Sequence, residues 1–162
     1  MDRVLYNCIG ITSGGIIMAT TGIASMGRVT VEFPIANYWD VLRAKEGQLS
    51  PAEIRRTTIS GIVDSGAARL VLPPWVVQDL GLPEDGETGV RYADQRSARR
   101  MIVRNVWLEL CGRGSVFTAI VEPDRQDALI GAIVLEELDL IVDCTRNEVR
   151  PRDPDRIISE IE

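Results

Sequence analysis

The chain has 162 residues, 45% of them hydrophobic, 26% charged and only 5% aromatic, with a net charge of −6. That length fits one domain, and a core of this composition rests on Val, Ile and Leu, which favour pleated surfaces. Histidine is absent, which excludes Ser-His-Asp and Cys-His catalysis and the H-E-x-x-H zinc site, since all of them need imidazole. The negative charge repels a phosphate backbone, so no nucleic acid is expected as partner. The cysteines Cys8, Cys111 and Cys144 are far apart and odd in number. They suggest neither a zinc knuckle nor a disulfide framework, and no metal or cofactor is expected. A reducing, cytoplasmic setting is the simplest one.

Residues 1–27 include an uncharged stretch from Asn7 to Gly27, rich in Gly, Ser and Thr. This segment reads as disordered, as a mis-assigned start, or as a weak signal or membrane segment. Membrane association, the alternative localisation, would run through these residues alone.

From Arg28 to Ile35 the chain alternates: Val29, Val31, Phe33 and Ile35 point one way, Thr30 and Glu32 the other. This is a half-buried strand. Asn37 to Glu46 is a short helix or an ordered loop. Ser50-Pro51-Ala52-Glu53 is a capping box that opens a brief helical turn. Thr57 to Val63 is a β-branched strand that runs straight into Asp64-Ser65-Gly66-Ala67. Leu70 to Leu72 is a short strand, and Pro73-Pro74 opens a helix that stops at Gly81.

Val90 to Tyr92 and Ala98 to Val103 form a hairpin around Ala93-Asp94-Gln95-Arg96. A second hairpin joins Val106–Cys111 to Ser115–Val121 across Gly112-Arg113-Gly114. Ala128-Leu129-Ile130-Gly131 is an apolar strand ending in glycine. Ala132 to Leu138 is a short helix, and Leu140–Val142 and Glu148–Arg150 are terminal strands. Trp75, Trp107, Cys111 and Cys144 read as core residues, and Asp143 as a turn residue. The pattern is mostly β and barrel-like, with one or two short helices. One domain spans residues 28–151, followed by a charged tail at 152–162.

The chemistry concentrates at Asp64-Ser65-Gly66. A strand fixes the carboxylate, and the glycine lets the chain turn so that backbone N–H groups face the acid. The ordered set Ile62-Val63-Asp64-Ser65-Gly66-Ala67, the hairpin at Tyr92–Arg96, then Ala128-Leu129-Ile130-Gly131 and its helix resembles the retropepsin-like aspartic proteases, closest to their bacterial stand-alone members.

The resemblance implies an acid-protease barrel assembled as a two-fold dimer. It implies an aspartic endopeptidase, mildly acidic in optimum, that hydrolyses peptide bonds through a water held between two Asp64 carboxylates, one per subunit. The chain has a single D-[ST]-G, so the second carboxylate must come from another copy, as C2 symmetry supplies. Ser65 is then assigned a hydrogen bond between the two loops, and Gly66 and Ala67 complete the active-site loop. Tyr92, Ala93 and Asp94 of the flap, with Leu129, Ile130 and Gly131, would touch a peptide or protein substrate.

Two departures from the family pattern stand out. The flap tip lacks glycine and is basic, with Arg91, Arg96, Arg99, Arg100 and Arg104. These read as a solvated hairpin face or as a preference for acidic substrates. An interface ion pair usual in retroviral members is replaced on both sides, by Ala68 and Ala132. That points to another dimer cement, with the strands around Val142 and Val149 as candidates. The alternative function is a catalytically silent dimerisation or peptide-binding module on the same fold.

Overall fold

The structure, a computed structural model, describes residues 29–153 and 155. The expected segment 1–27 and most of the tail lie outside the described residues.

Strand β1 (Val29–Asn37) pairs antiparallel with β2 (Arg56–Val63) over its length, Val29 opposite Val63 and Ala36 opposite Arg56. The expected alternation holds, with Phe33 and Ile35 buried and Thr30 and Glu32 exposed. Gly61 of β2 makes room for this core: a Cβ there would stand 2.6 Å from Phe33 Cε1.

Helix α1 (Tyr38–Lys45) forms, resolving the helix-or-loop alternative. Its cap is the buried Asn37, whose Oδ1 accepts the Trp39 N–H at 2.9 Å. The Asn37 amide donates to the Leu80 and Gly81 carbonyls at 2.9 and 3.1 Å. One side chain thus joins the start of α1 to the end of α2 (Pro74–Leu80). The capping box at Ser50 is present but carries a single 3-10 turn, Pro51–Glu53.

Strand β3 (Leu70–Leu72) follows the Asp64 loop, and β7 (Ala128–Ile130) inserts between β2 and β3, parallel to the first and antiparallel to the second. β3 also pairs parallel with β6 (Arg113–Val121), which pairs with β5 (Ser97–Leu110). β5 returns to β1, with Ile35 opposite Leu108, and closes a six-stranded barrel. Leu72, Val103, Leu108, Ala119 and Ile130 fill it, fully buried. Among the described residues three short helices accompany the barrel where one or two were expected; α3 spans Ala132–Glu137.

Two corrections concern the hairpins. β4 spans Glu84–Arg91 and not merely the residues from Val90. Its polar first half shows no apolar alternation because it is an outer strand whose order comes from hydrogen bonds to β5. β5 is one strand where two were expected. Asn105 takes a left-handed conformation (φ 60), and the register with β6 shifts between Val103 and Val106. The resulting bulge interrupts the alternation and bends the strand without ending it.

Two aromatic assignments also change. Trp75 is 38% exposed, and its indole N–H donates to the Gln126 carbonyl at 3.2 Å. Trp107 is half-buried and stacks on Tyr38 at 5.9 Å. Cys144 is exposed and free, not buried. Cys111 packs against the core but is half-buried rather than buried, and it is disulfide-bonded where no disulfide was expected.

Strands β8 (Leu140–Asp143) and β9 (Glu148–Pro151) form a separate two-stranded sheet. Its turn is organised by Asp143, whose Oδ1 accepts the N–H groups of Thr145 and Arg146 at 3.0 Å each. Asp143 is therefore the turn residue expected. Arg113 ties this sheet down: it donates to the carbonyls of Leu138, Asp139 and Asp153 and to the Asp139 carboxylate.

Candidate active site

Val63, the last residue of β2, is buried, while Asp64 is exposed at the strand end. The chain then turns at once. The Ala67 N–H donates to the Asp64 carbonyl at 3.1 Å, and the Gly66 N–H donates to Asp64 Oδ1 at 2.9 Å. The second bond fixes the carboxylate and presents a dipole to its charged form. A Cβ at position 66 would lie 3.1 Å from the same oxygen, so glycine leaves the acid uncrowded.

The second loop braces the first from below. The Asp64 N–H donates to the Ile130 carbonyl at 3.0 Å. Past Gly131, the Ala132 and Ile133 N–H groups donate to the Ala67 and Ala68 carbonyls at 2.8 and 3.0 Å. Gly131 passes directly against the loop: a Cβ there would lie 2.5 Å from the Arg69 carbonyl oxygen and 2.7 Å from that of Ala67. The two segments that carry the sequence resemblance thus form one hydrogen-bonded unit. At Ala68 and Ala132, where the ion pair is missing, the segments meet through main-chain bonds.

Leu129 is half-buried and Ile130 fully buried in β7. Ile130 supports the loop from the core and is not presented to a ligand by this one chain. Ser65 is exposed, and among the described residues its hydroxyl has no hydrogen-bond partner. A hollow of about 230 Å³ lies behind the loop, lined by Arg69, Phe117, Ile133 and Glu137 among others. It does not include Asp64, whose carboxylate stands on an open surface.

A family model described as aspartyl protease matches residues 50–134, more than half of the chain. The chain belongs to the aspartyl protease family. The family is of the retropepsin-like clan, and the closed barrel is consistent with its fold. No curated relative matches the chain. Asp64, the active-site loop, the β4–β5 hairpin and the second loop all fall inside the matched span.

The β4–β5 hairpin extends past its pairing with β6, and its turn is closed by main-chain hydrogen bonds. The Tyr92 N–H donates to the Arg96 carbonyl and the Gln95 N–H to the Tyr92 carbonyl, both at 2.9 Å. Asp94 accepts the Arg96 N–H at 3.0 Å, and Gln95 supplies the left-handed position (φ 68) that glycine usually fills. Tyr92 is half-buried, whereas Ala93 and Asp94 are exposed.

The basic residues of the hairpin are largely neutralised. Arg96 pairs with Asp94, Arg99 with Glu87, Arg100 with Glu122 and Arg104 with Asp85. Only Arg91 of the five lacks a carboxylate partner among the described residues. This favours the solvated-hairpin reading over an acidic-substrate preference.

Glu122 escaped the sequence reading. It follows β6, and its carboxylate accepts the Tyr92 hydroxyl at 2.6 Å and Arg100 Nε at 3.0 Å. Burial pushes its carboxyl up, but the hydrogen bonds from Arg100 and Tyr92 outweigh burial and hold it below its ordinary value. The Tyr92 hydroxyl is pushed up by its bond to Glu122 and then by burial. Only the register marks this residue: Ile102 faces Ile120, so Arg100 continues opposite Glu122.

Proposed function

We propose that the chain is a stand-alone retropepsin-like aspartic endopeptidase whose active site forms between two copies. The observation that carries this reading is Asp64 itself. It is exposed at a strand end, fixed by Gly66 and braced by Ile130, in a family of aspartyl proteases. A lone carboxylate with no histidine in the chain has no base partner of its own. A second Asp64 across a two-fold axis supplies one.

In such a pair two carboxylates about 3 Å apart share one proton. The ionised one takes a proton from a water held between them. The protonated one donates its hydrogen to the scissile carbonyl oxygen, and the water oxygen adds to the carbonyl carbon. The carboxyl that took the water proton then gives it to the amide nitrogen, the other carboxylate takes a hydroxyl proton from the tetrahedral intermediate, and the C–N bond breaks, which leaves one carboxyl protonated and one ionised as at the start.

Gly66 keeps room beside the acid, and the Ser65 hydroxyl is available for a bond to the facing loop. Ala67, Tyr92, Ala93, Asp94 and the second loop at Leu129 and Gly131 complete the proposed substrate cleft. The dimer cement needs restating. Val149 is 4% exposed and belongs to the core, and its strand partner Val142 packs against that core, so Ile141, half-buried opposite Arg150, is the apolar residue the β8–β9 sheet offers.

The test is Asp64→Asn, which conserves shape and removes the charge. It should fold as the parent does and lose hydrolysis of an unstructured substrate such as denatured casein. A pepstatin-like inhibitor should bind the parent and not the variant. Continued peptide hydrolysis by Asp64→Asn would refute the reading.

A further inference from the structure

The β4–β5 hairpin overhangs the barrel. From Ile102 toward the turn, β5 has no further pairing to β6, and only β4 accompanies it. Its two faces differ. Glu87, Gly89, Arg91 and Arg99 are exposed, whereas Thr88, Val90, Tyr92, Ala98 and Arg100 are half-buried. On that inner face Arg96 and Arg100 lie 5.6 and 5.7 Å from the Tyr92 ring. Both Tyr92 and Arg100 reach one carboxylate of the barrel, Glu122, and the Arg100 and Glu122 side chains are only 23% and 14% exposed.

Glu122 is itself firmly placed. Its N–H donates to the Leu72 carbonyl at 3.0 Å, at the end of the strand that leads back from the Asp64 loop. The far side of its loop is held where Trp75 donates to Gln126. A continuous path of bonded groups therefore runs from the active-site loop through β3 to Glu122 and on to the hairpin. The turn lacks glycine and is closed by two main-chain bonds, and the Glu122 tie joins it to the barrel.

We propose that Glu122 is the positioning residue of the flap, holding the β4–β5 hairpin at the height above Asp64 that clasps a peptide. This rests on the reading of the chain as a peptide hydrolase. It assigns Glu122 no contact with the reacting atoms. Its role is to fix Tyr92 and Arg100, and through them the turn at Ala93–Gln95.

Tyr92→Phe and Glu122→Gln test it, with two readouts. Tyr92→Phe keeps the ring under both guanidinium groups and removes one hydroxyl. Glu122→Gln keeps the shape and removes the charge. A charge-assisted hydrogen bond is worth roughly a factor of ten, so amide exchange across 92–96 should quicken by about tenfold.

On denatured casein KM should rise by about three- to tenfold with a smaller fall in kcat, as expected where a clasp holds ground and transition states alike. Unchanged exchange in Tyr92→Phe overturns the proposal, as does a loss confined to kcat. Should Glu122→Gln fail to fold, Tyr92→Phe decides alone. If the parent chain hydrolyses no peptide while exchange quickens as stated, the hydrolase reading falls and the tie to Glu122 stands.

Discussion

Replacing Gly131 by alanine would strike the active-site loop from beneath. The added Cβ would lie 2.5 Å from the Arg69 carbonyl oxygen, 2.7 Å from that of Ala67 and 2.7 Å from the Arg69 nitrogen. Ordinary contact needs about 3.5 Å, so the segments must part by about 0.8–1 Å. All three atoms are backbone, and no rotamer change relieves them. Overpacking of this kind costs about 1–3 kcal/mol, and straining the bonds from Ala132 and Ile133 to the loop adds about 1 kcal/mol each.

A total of about 3–5 kcal/mol should lower the melting temperature by about 6–20 °C. A displacement near 1 Å at Asp64 should cut kcat/KM by about 100-fold. Gly61→Ala is the informative comparison, because its Cβ would meet the Phe33 ring at 2.6 Å and only the flexible end of the Ile130 side chain at 3.3 Å, with no backbone of the Asp64 loop. It should lose stability with a far smaller loss of rate than Gly131→Ala. Gly89, with nothing within 4 Å, should accept alanine without effect. A Gly131→Ala variant that melts and cleaves as the parent does would refute the account of the braced loop.

Two further outcomes follow from buried charges. Asp40 is 3% exposed and takes two bonds from the Arg55 guanidinium and one from its N–H. The Arg55 side-chain bond, opposed by burial, holds its carboxyl below the ordinary value. Its stabilising contribution is therefore complete above about pH 4, where it also ionises in the unfolded chain, and is lost as pH falls through the lowered folded value. Asp40→Asn should cost about 1–2 kcal/mol near neutrality, modest because the Arg55 side chain is 46% exposed, and this difference should vanish in acid denaturation curves. Arg113→Met should cost about 2–4 kcal/mol by stranding the Leu138 and Asp139 carbonyls, and should weaken dimerisation in sedimentation if the β8–β9 sheet is the interface.

Much of the barrel was legible because its strands bury one face. Val29 to Ile35 and Thr57 to Val63 alternate or run apolar as the closed sheet demands, and the loops at Asp64 and Gly131 stand at strand ends marked by glycine. β4 was partly hidden because Glu84 to Gly89 buries little and owes its order to β5. The unity of β5 was hidden by Asn105, whose left-handed conformation inverts the alternation without breaking the strand. Glu122 was hidden for another reason. Its partners Tyr92 and Arg100 lie on a different hairpin, and an acidic residue before Pro123 looks like any turn. A polar tie of this kind becomes visible only when the register sets Arg100 opposite it.

The central claim is that one site needs two Asp64 carboxylates, one from each of two chains. Mixing parent and Asp64→Asn subunits under exchange tests it most directly. With equal amounts at constant total protein, random pairing leaves about one quarter of the dimers with both carboxylates. Activity should fall to about that fraction and follow the square of the parent fraction across the series. Activity that falls to one half and tracks the parent fraction linearly would mean that each chain works with its own Asp64 alone, and would contradict the account.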